Sequence, residues 1–391
     1  MTSRFDPETG LVGLLSPVSE DVFFATHWER APLHVTGRGR KDFTGLVSTA
    51  RMDALLAEQV FDGDSLSMAR TEPRLSAEAY LTENGFADRG LVARAFQQGA
   101  TLILPQLQRR ERPLAALCRG LEQRFSHAVQ TNIYLTPPNA QGFQTHYDTH
   151  DVLILQVEGR KRWRLYDTPV GAPFRGEGFT PDAVAAGEIT AELVMEPGDV
   201  LYVPRGLMHD AINADEDGPS LHITTGILVR TWADFLLEAV SETALKSPAL
   251  RAALPPGFAA MEAGALQPQF DAAIEAVRDG ADVEAVLALF SDRFVTTRQA
   301  DTAGAITLGA PGEAVCVRRR AGIPLHLAED GDHIALVAPG GPLTFDAPAE
   351  DALSRFIDGE TISAADFEAL GEDKARDAIA RLIAFGAAQA D

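Results

Sequence analysis

The residues best suited to chemistry lie together in Gln144-Thr145-His146-Tyr147-Asp148-Thr149-His150-Asp151. In a strand, residues two apart point the same way. His146 and Asp148 then stand side by side, and an imidazole nitrogen and a carboxylate oxygen reach one metal ion. His209 follows 63 residues later, behind Tyr202-Val203-Pro204-Arg205-Gly206, a separation that suits a return strand of the same barrel. Two imidazoles and one carboxylate on one side of a divalent metal leave the opposite positions open, the arrangement of non-haem Fe(II) oxygenases. A His-x-Asp pair alone is common as a structural hydrogen bond, so its surroundings carry the weight. It opens the apolar run Val152 to Val157, a Glu158-Gly159 turn and Arg160-Lys161-Arg162-Trp163 follow, and Pro197-Gly198-Asp199-Val200 precedes His209. His150 shares parity with His146 and Asp148. It faces the substrate mouth or replaces one of the chosen ligands, and His222 has a similar ambiguity. The remaining histidines (27, 34, 127, 326 and 333) lack partners at ligand spacing and are read as structural.

The elements around these residues are short strands: Ala128 to Leu135, Thr145 to Glu158, Arg162 to Tyr166, Ile189 to Met195, Val200 to Val203 and Ser220 to Val229. Pro137-Pro138-Asn139, Glu158-Gly159 and Pro197-Gly198-Asp199 supply the turns. Many consecutive strands with few helices between them indicate a closed barrel or a sandwich. Before them the chain is mixed, with helical spacing at Asp21 to Glu29, Met52 to Val60, Leu91 to Gln98 and Pro113 to Phe125. After them it turns helical over Thr231 to Lys246, Phe270 to Asp279 and Val283 to Phe294. A smaller α+β part follows, with a hairpin from His333 to Phe345 and helices at Asp351 to Ile357, Ala364 to Leu370 and Lys374 to Phe385.

Of the 391 residues, 46% are apolar and 23% charged, the balance of a folded globular protein rather than a disordered chain. The length asks for two or three domains. There is no run of about 18 apolar residues. The opening Met1-Thr2-Ser3-Arg4-Phe5-Asp6-Pro7 does not read as a secretory signal. Cys118 and Cys316, the only cysteines, are too few for a disulfide framework or a thiolate zinc cluster. A cytoplasmic protein without membrane association is the expectation. No phosphate-binding glycine loop or Gly-x-Ser-x-Gly nucleophile context occurs. With 34 basic and 56 acidic side chains the formal net charge is −22. Such a chain repels nucleic-acid phosphates and suits a basic partner, although solubility alone also accounts for it.

The chain resembles the JmjC-type ribosomal oxygenases of the cupin superfamily. The resemblance rests on His146-Tyr147-Asp148, on Leu155-Gln156-Val157-Glu158-Gly159-Arg160-Lys161-Arg162-Trp163, and on Pro197 to Gly206 through His209. Asn132-Ile133-Tyr134-Leu135-Thr136-Pro137 and Trp28-Glu29-Arg30-Ala31-Pro32-Leu33 also match. It implies an α+β protein: a double-stranded β-helix catalytic domain over residues 1–230, a helical dimerisation region over 231–300 and a winged-helix-like domain over 301–391. Fe(II) would be held by His146, Asp148 and His209, with 2-oxoglutarate as cosubstrate and O2 as oxidant. Lys161 stands at the family position for the distal carboxylate of the cosubstrate, and a lysine is a compact charge suited to it. Arg160 and Arg162 should point to the opposite, solvated face. Asn132, Tyr134 and Thr225 match positions that line the cosubstrate pocket, and Thr224 takes the place of Thr225 if the register shifts by one.

The implied activity is hydroxylation of an arginine or histidine side chain in a ribosomal protein, a basic substrate. Another peptide, N-methyl lysine or a small molecule as target, or a cupin regulator without turnover, are the competing readings. A homodimer is implied. Direct DNA binding is opposed by the 7 basic and 16 acidic side chains of residues 301–391. Arg318-Arg319-Arg320 is the one basic cluster there and reads as a solvated loop.

Overall fold

The computed structural model describes residues 3–37, 41–181, 184–213, 218–309 and 315–390. Met1 and Thr2, part of the N-terminal reading above, lie outside them. The chain divides into two compact units, one ending at Val229 and one starting at Arg230.

The strands of the first unit are β1 (Ser3–Arg4), β2 (Leu33–Val35), β3 (Lys41–Asp42), β4 (Ser67–Ala69), β5 (Thr101–Leu104), β6 (Ala128–Thr136), β7 (Asp151–Glu158), β8 (Lys161–Leu165), β9 (Ala191–Met195), β10 (Val200–Val203), β11 (His209–Ile212) and β12 (Ser220–Leu228). Seven form a sheet in the order β2-β10-β7-β12-β6-β5-β4, three form a second sheet, β11-β8-β9, and β1 pairs with β3. The two larger sheets face each other. Val152 and Ile154 of β7 and Leu201 and Val203 of β10 pack with Trp163 and Leu165 of β8 in one apolar cluster. The opposite face of the seven-stranded sheet joins the principal core, where Leu153 and Leu155 of β7 and Ile223 and Ile227 of β12 belong with Leu114, Leu117 and Leu121. Those leucines lie on helix Arg112–Phe125, which carries Pro113 in its first turn, where a missing N–H costs nothing. Covered on both faces, β7 is buried at every residue but the last, and its sequence is correspondingly almost continuous in apolar residues.

One expectation for this unit is corrected. The strand expected to start at Thr145 starts at Asp151, and residues 145–150 form an irregular arm with one backbone bridge, His146 to His209. The arm is polar and offers no apolar alternation to bury. The Asp148 carbonyl accepts Gly206 N–H at 3.0 Å instead of a ladder partner. The return strand expected at His209 is β11. It forms the edge of the small sheet, antiparallel to β8, and its His-Asp-Ala-Ile sequence shows little hydrophobic signal. The turns that deliver these segments depend on glycine. Gly159 has φ +65° and a Cβ there would lie 2.4 Å from Pro219 O, while Gly206 has φ +85° and a Cβ would lie 2.1 Å from Val170 O.

The second unit begins with helices Trp232–Lys246, Ala263–Gly280 and Val283–Thr296. The first is closed by a capping box between Thr231 and Asp234. Strands β13 (Val317–Arg319), β14 (His326–Asp330), β15 (His333–Ala338), β16 (Gly341–Asp346) and β17 (Ala388–Ala390) follow, with helices Glu350–Ile357 and Glu372–Ala384. The expected hairpin is β15–β16, extended by β14 on its free edge. Ala364–Leu370 is a kinked 3-10 segment rather than an α-helix. Arg318-Arg319-Arg320 is not a solvated loop. Arg319 donates to Ile357 O and Ile323 O at 2.9 and 2.8 Å, and Arg320, which is buried, donates to Ala303 O and Ala388 O at 2.9 and 3.2 Å. These guanidinium groups satisfy carbonyls at element ends, a use the sequence alone does not reveal.

Candidate metal centre

The single bridge between the arm and β11 brings the chemistry together. His146 and His209 are direct partners, with backbone N–H···O bonds of 3.0 and 2.7 Å. Asp148 lies two residues on, its Oδ2 3.8 Å from His209 Nε2. One potential ligand atom from each of His146, Asp148 and His209 lies within 4.8 Å of the others, the one such cluster among the described residues. Both imidazoles are oriented from behind. His146 Nδ1 bonds Gln144 O at 2.8 Å and His209 Nδ1 bonds Leu207 O at 2.9 Å. A carbonyl accepts only from N–H, so Nδ1 carries the proton and Nε2 keeps its lone pair, the usual support of a metal-bound histidine. Burial holds the His209 imidazole down to about 4, so it is neutral at physiological pH. Burial alone would raise the Asp148 carboxyl, but His209, His150 and His146 outweigh it and hold it below the usual range. Two imidazoles presenting Nε2 and one carboxylate are a donor set that fits a divalent first-row metal.

The three groups share a cavity of about 250 Å³ with Lys161, Tyr134, Thr136, Trp163, His222 and Thr224. Lys161 is 4% exposed. Its Nζ donates to Thr136 Oγ1 at 2.8 Å and lies 3.3 Å from His222 Nδ1, with no carboxylate bonded to it among the described residues. Burial lowers its ammonium to about 7. Burial, and then the Lys161 charge, push the His222 imidazole well below its usual range. Trp163 lines the same cavity, and its indole Nε1 is buried without a hydrogen-bond partner. A buried ammonium without an anion and an unused buried donor fit a small dianionic ligand.

The other sequence candidates are placed as follows. Tyr134 lines the cavity with its ring stacked on His222, centroids 4.8 Å apart and planes 2° apart. Burial and the Asp148 charge raise its phenol, which stays protonated. Asn132 shares the Tyr134 face of β6 by alternation, but its Oδ1 accepts Gln106 N–H at 3.1 Å and it does not line the cavity. Thr225 is corrected. It pairs across to Leu153 and Thr131, on the face of β12 that also carries Ile223 and Ile227, so its side chain turns toward the principal core. Thr224, one residue away, lines the cavity. His150 packs over Gly226, where an added Cβ would meet its ring at 2.6 Å, and does not join the ligand cluster. Arg160 and Arg162 lie on the exposed side of the turn and β8, 3.6 Å from Glu196 and 3.8 Å from Glu192.

Residues 105–235 match the family model of the JmjC domain. That stretch is similar to the JmjC domain. Among curated relatives, it is 35% identical over 240 residues to human "Ribosomal oxygenase 1", covering 60% of this chain and 36% of that protein. It is 33% identical over 249 residues to "Bifunctional lysine-specific demethylase and histidyl-hydroxylase NO66" of Drosophila yakuba, covering 62% and 36%. It is 32% identical over 265 residues to rat "Ribosomal oxygenase 2", covering 64% and 56%. The chain thus spans between about a third and just over half of these relatives' lengths. Among solved structures, Escherichia coli ycfD superposes with TM-score 0.58 at 18% identity over 96% of this chain and 98% of that one. A complex of Escherichia coli YcfD with cobalt and 2-oxoglutarate gives 0.54 at 19% identity over 96% and 99%. The fold of this chain is therefore the α+β, cupin-like one.

Sequence reasoning missed Thr136 as a lining residue, although it follows Asn132 and Tyr134 at the same parity. It also missed Thr101 and Phe143, which come from β5 and from the loop before the arm. No spacing rule links those two to the ligands.

Proposed function

We propose that this protein is an Fe(II)- and 2-oxoglutarate-dependent oxygenase that hydroxylates an arginine or histidine side chain of a ribosomal protein. The observation that carries the reading is a two-histidine, one-carboxylate cluster sharing one cavity with a buried ammonium that has no anion. His146, Asp148 and His209 would hold the metal, and Lys161 with Thr136 would bind the distal carboxylate of 2-oxoglutarate. When bound, the metal and cosubstrate supply oxidative decarboxylation coupled to hydroxylation of a C–H bond by O2. The chain itself orients and excludes water. The Gln144 and Leu207 carbonyls fix the ligand tautomers, Tyr134 and His222 form one stacked wall, and Val152, Ile154 and Trp163 line the rest with apolar surface. No side chain needs to exchange a proton with the target carbon.

The net charge of −22 supports a basic protein as substrate. The test is mass spectrometry of ribosomal proteins incubated with enzyme, Fe(II), 2-oxoglutarate and air, with His209→Ala as control. One added oxygen on one protein, absent from the control, is the expected result and identifies the residue. No modification, with metal and cosubstrate bound, moves the target to another peptide or a small molecule. Bound metal with no succinate formed from any substrate would make the chain a binding module. The name of the Drosophila relative favours one second reading, N-methyl lysine demethylation, which would release formaldehyde instead of leaving a stable hydroxyl.

A homodimer through the helical region is part of the proposal. Trp232, Leu236, Leu237 and Val240 are exposed on helix Trp232–Lys246, Trp232 at 80% and Leu237 at 71%, and their spacing gathers them on one side of the helix. Such a patch is uncommon on a monomer. Leu236→Asp combined with Leu237→Asp should halve the mass measured by light scattering. A wild-type monomer at micromolar concentration would rule the dimer out. A winged-helix-like scaffold role for residues 301–391, without DNA contact, remains our reading of the acidic C-terminal part.

A further inference from the structure

Beside the two histidines that face the cavity, the chain carries a second pair that faces the other way. His146 and His209 are antiparallel partners. The same register sets Thr145 against Asp210; Asp210 also borders the cavity, but alternation points this pair's side chains away from the ligand imidazoles. Asp210 lies opposite Arg164 of β8, on the side of the small sheet away from Lys161 and Trp163. It is 2% exposed, and its carboxylate collects three donors. Oδ2 accepts from Thr145 Oγ1 and from Tyr166 OH, each at 2.7 Å, and Oδ1 accepts from Arg164 Nε at 2.8 Å. Tyr166 and Arg164 belong to β8 and its continuation, so Asp210 is already fixed to the small sheet. Thr145 belongs to the arm. That arm has one backbone bridge to β11; Gly206 N–H to Asp148 O and Tyr147 OH to Glu177 O hold its later residues, and the Thr145 hydroxyl ties its start to the small sheet.

We propose that Asp210 is a positioning residue, holding Thr145, and through it His146 and Asp148, against β11 so that the three metal-binding groups stand assembled before the metal arrives. The proposal rests on the metal-centre reading above. Supporting groups behind the ligands set affinity because an unassembled site must be ordered during binding. The Thr145 hydroxyl is the link to break. Thr145→Val keeps the shape of the side chain and leaves every ligand in place, and Thr145→Ser keeps the hydroxyl.

The test is titration of Co(II), followed by its absorption spectrum, into the full-length wild type, Thr145→Val, Thr145→Ser, Asp210→Asn and His209→Ala. Thermal unfolding of each metal-free variant is measured alongside. Thr145→Val should bind Co(II) about 10-fold more weakly with an unchanged unfolding midpoint, and Thr145→Ser should restore the affinity. Asp210→Asn, with one amide oxygen for three donors, should weaken binding at least as much. Wild-type affinity in Thr145→Val or in Asp210→Asn overturns the proposal. So does a loss in Thr145→Ser equal to that in Thr145→Val. If the wild type binds Co(II) no more tightly than His209→Ala, the metal centre itself is wrong, and the proposal falls with it.

Discussion

Asp148→Ala should weaken binding of Fe(II), or of Mn(II) as its air-stable substitute, by more than about 100-fold and bring turnover to background. Loss of a residue that only supports a ligand costs about 10- to 100-fold in affinity, and Asp148 is a ligand candidate itself. It is also the only anion of the cluster. The two imidazoles that remain carry no negative charge and cannot offset the charge of a divalent ion. The metal-free protein should not lose stability. The carboxylate is part of a cavity wall and makes no buried ion pair with arginine or lysine. Anaerobic metal titration, thermal unfolding and succinate release measure the three quantities separately. Full turnover in Asp148→Ala would remove it from the site.

Lys161→Met should act in opposite directions on stability and on cosubstrate binding. The buried ammonium has an ordinary value of 10.5 and is lowered to about 7 by desolvation. The folded, ligand-free protein therefore binds fewer protons than the unfolded chain between those values, and its stability rises with pH across that window. At and below pH 7 the burial penalty is fully present, on the order of 4 kcal/mol. Methionine removes the penalty with little change in volume. The variant should therefore unfold at a higher temperature near pH 7, with the gain shrinking toward pH 10. For 2-oxoglutarate the balance reverses. Truncating one partner of a buried charge pair costs roughly 2–5 kcal/mol, so the dissociation constant should rise between about 30-fold and several thousand-fold. Calorimetry in buffers of different ionisation enthalpy should show the wild type taking up a proton when 2-oxoglutarate binds near pH 8, because the carboxylate restores the ammonium. No proton uptake, together with unchanged affinity in Lys161→Met, would place the anchor elsewhere.

How much of this was legible before folding differs from residue to residue. The His146, Asp148 and His209 set was readable from residue type and parity, although the arm that carries two of them is not a strand. The inference survived because one rung opposite His209 is enough to set the same parity. Lys161 was readable only by resemblance. Its burial, and the absence of a carboxylate among its bonded partners, came from the fold. The choice between Thr224 and Thr225 was not readable, since a one-residue change of register moves every side chain to the other face. The nine-rung pairing of β12 with β6 decides it. Arg319 and Arg320 looked like a charged loop because local sequence carries no trace of the distant carbonyls they bind.

The sequence by itself pointed to the donor set, the turn at Gly159, and most of the strands and helices. These depend on local chemistry: side-chain type, period-two or helical spacing, and backbone conformations open to glycine. Only the tertiary structure decided that His150 packs over Gly226, that Asp210 ties the arm to the small sheet, and that Thr136, Trp163 and His222 enclose a buried ammonium. Each of these is a contact between segments far apart in the chain, or a choice of face. Such contacts follow from how two sheets register and close on each other, which no single stretch of sequence encodes.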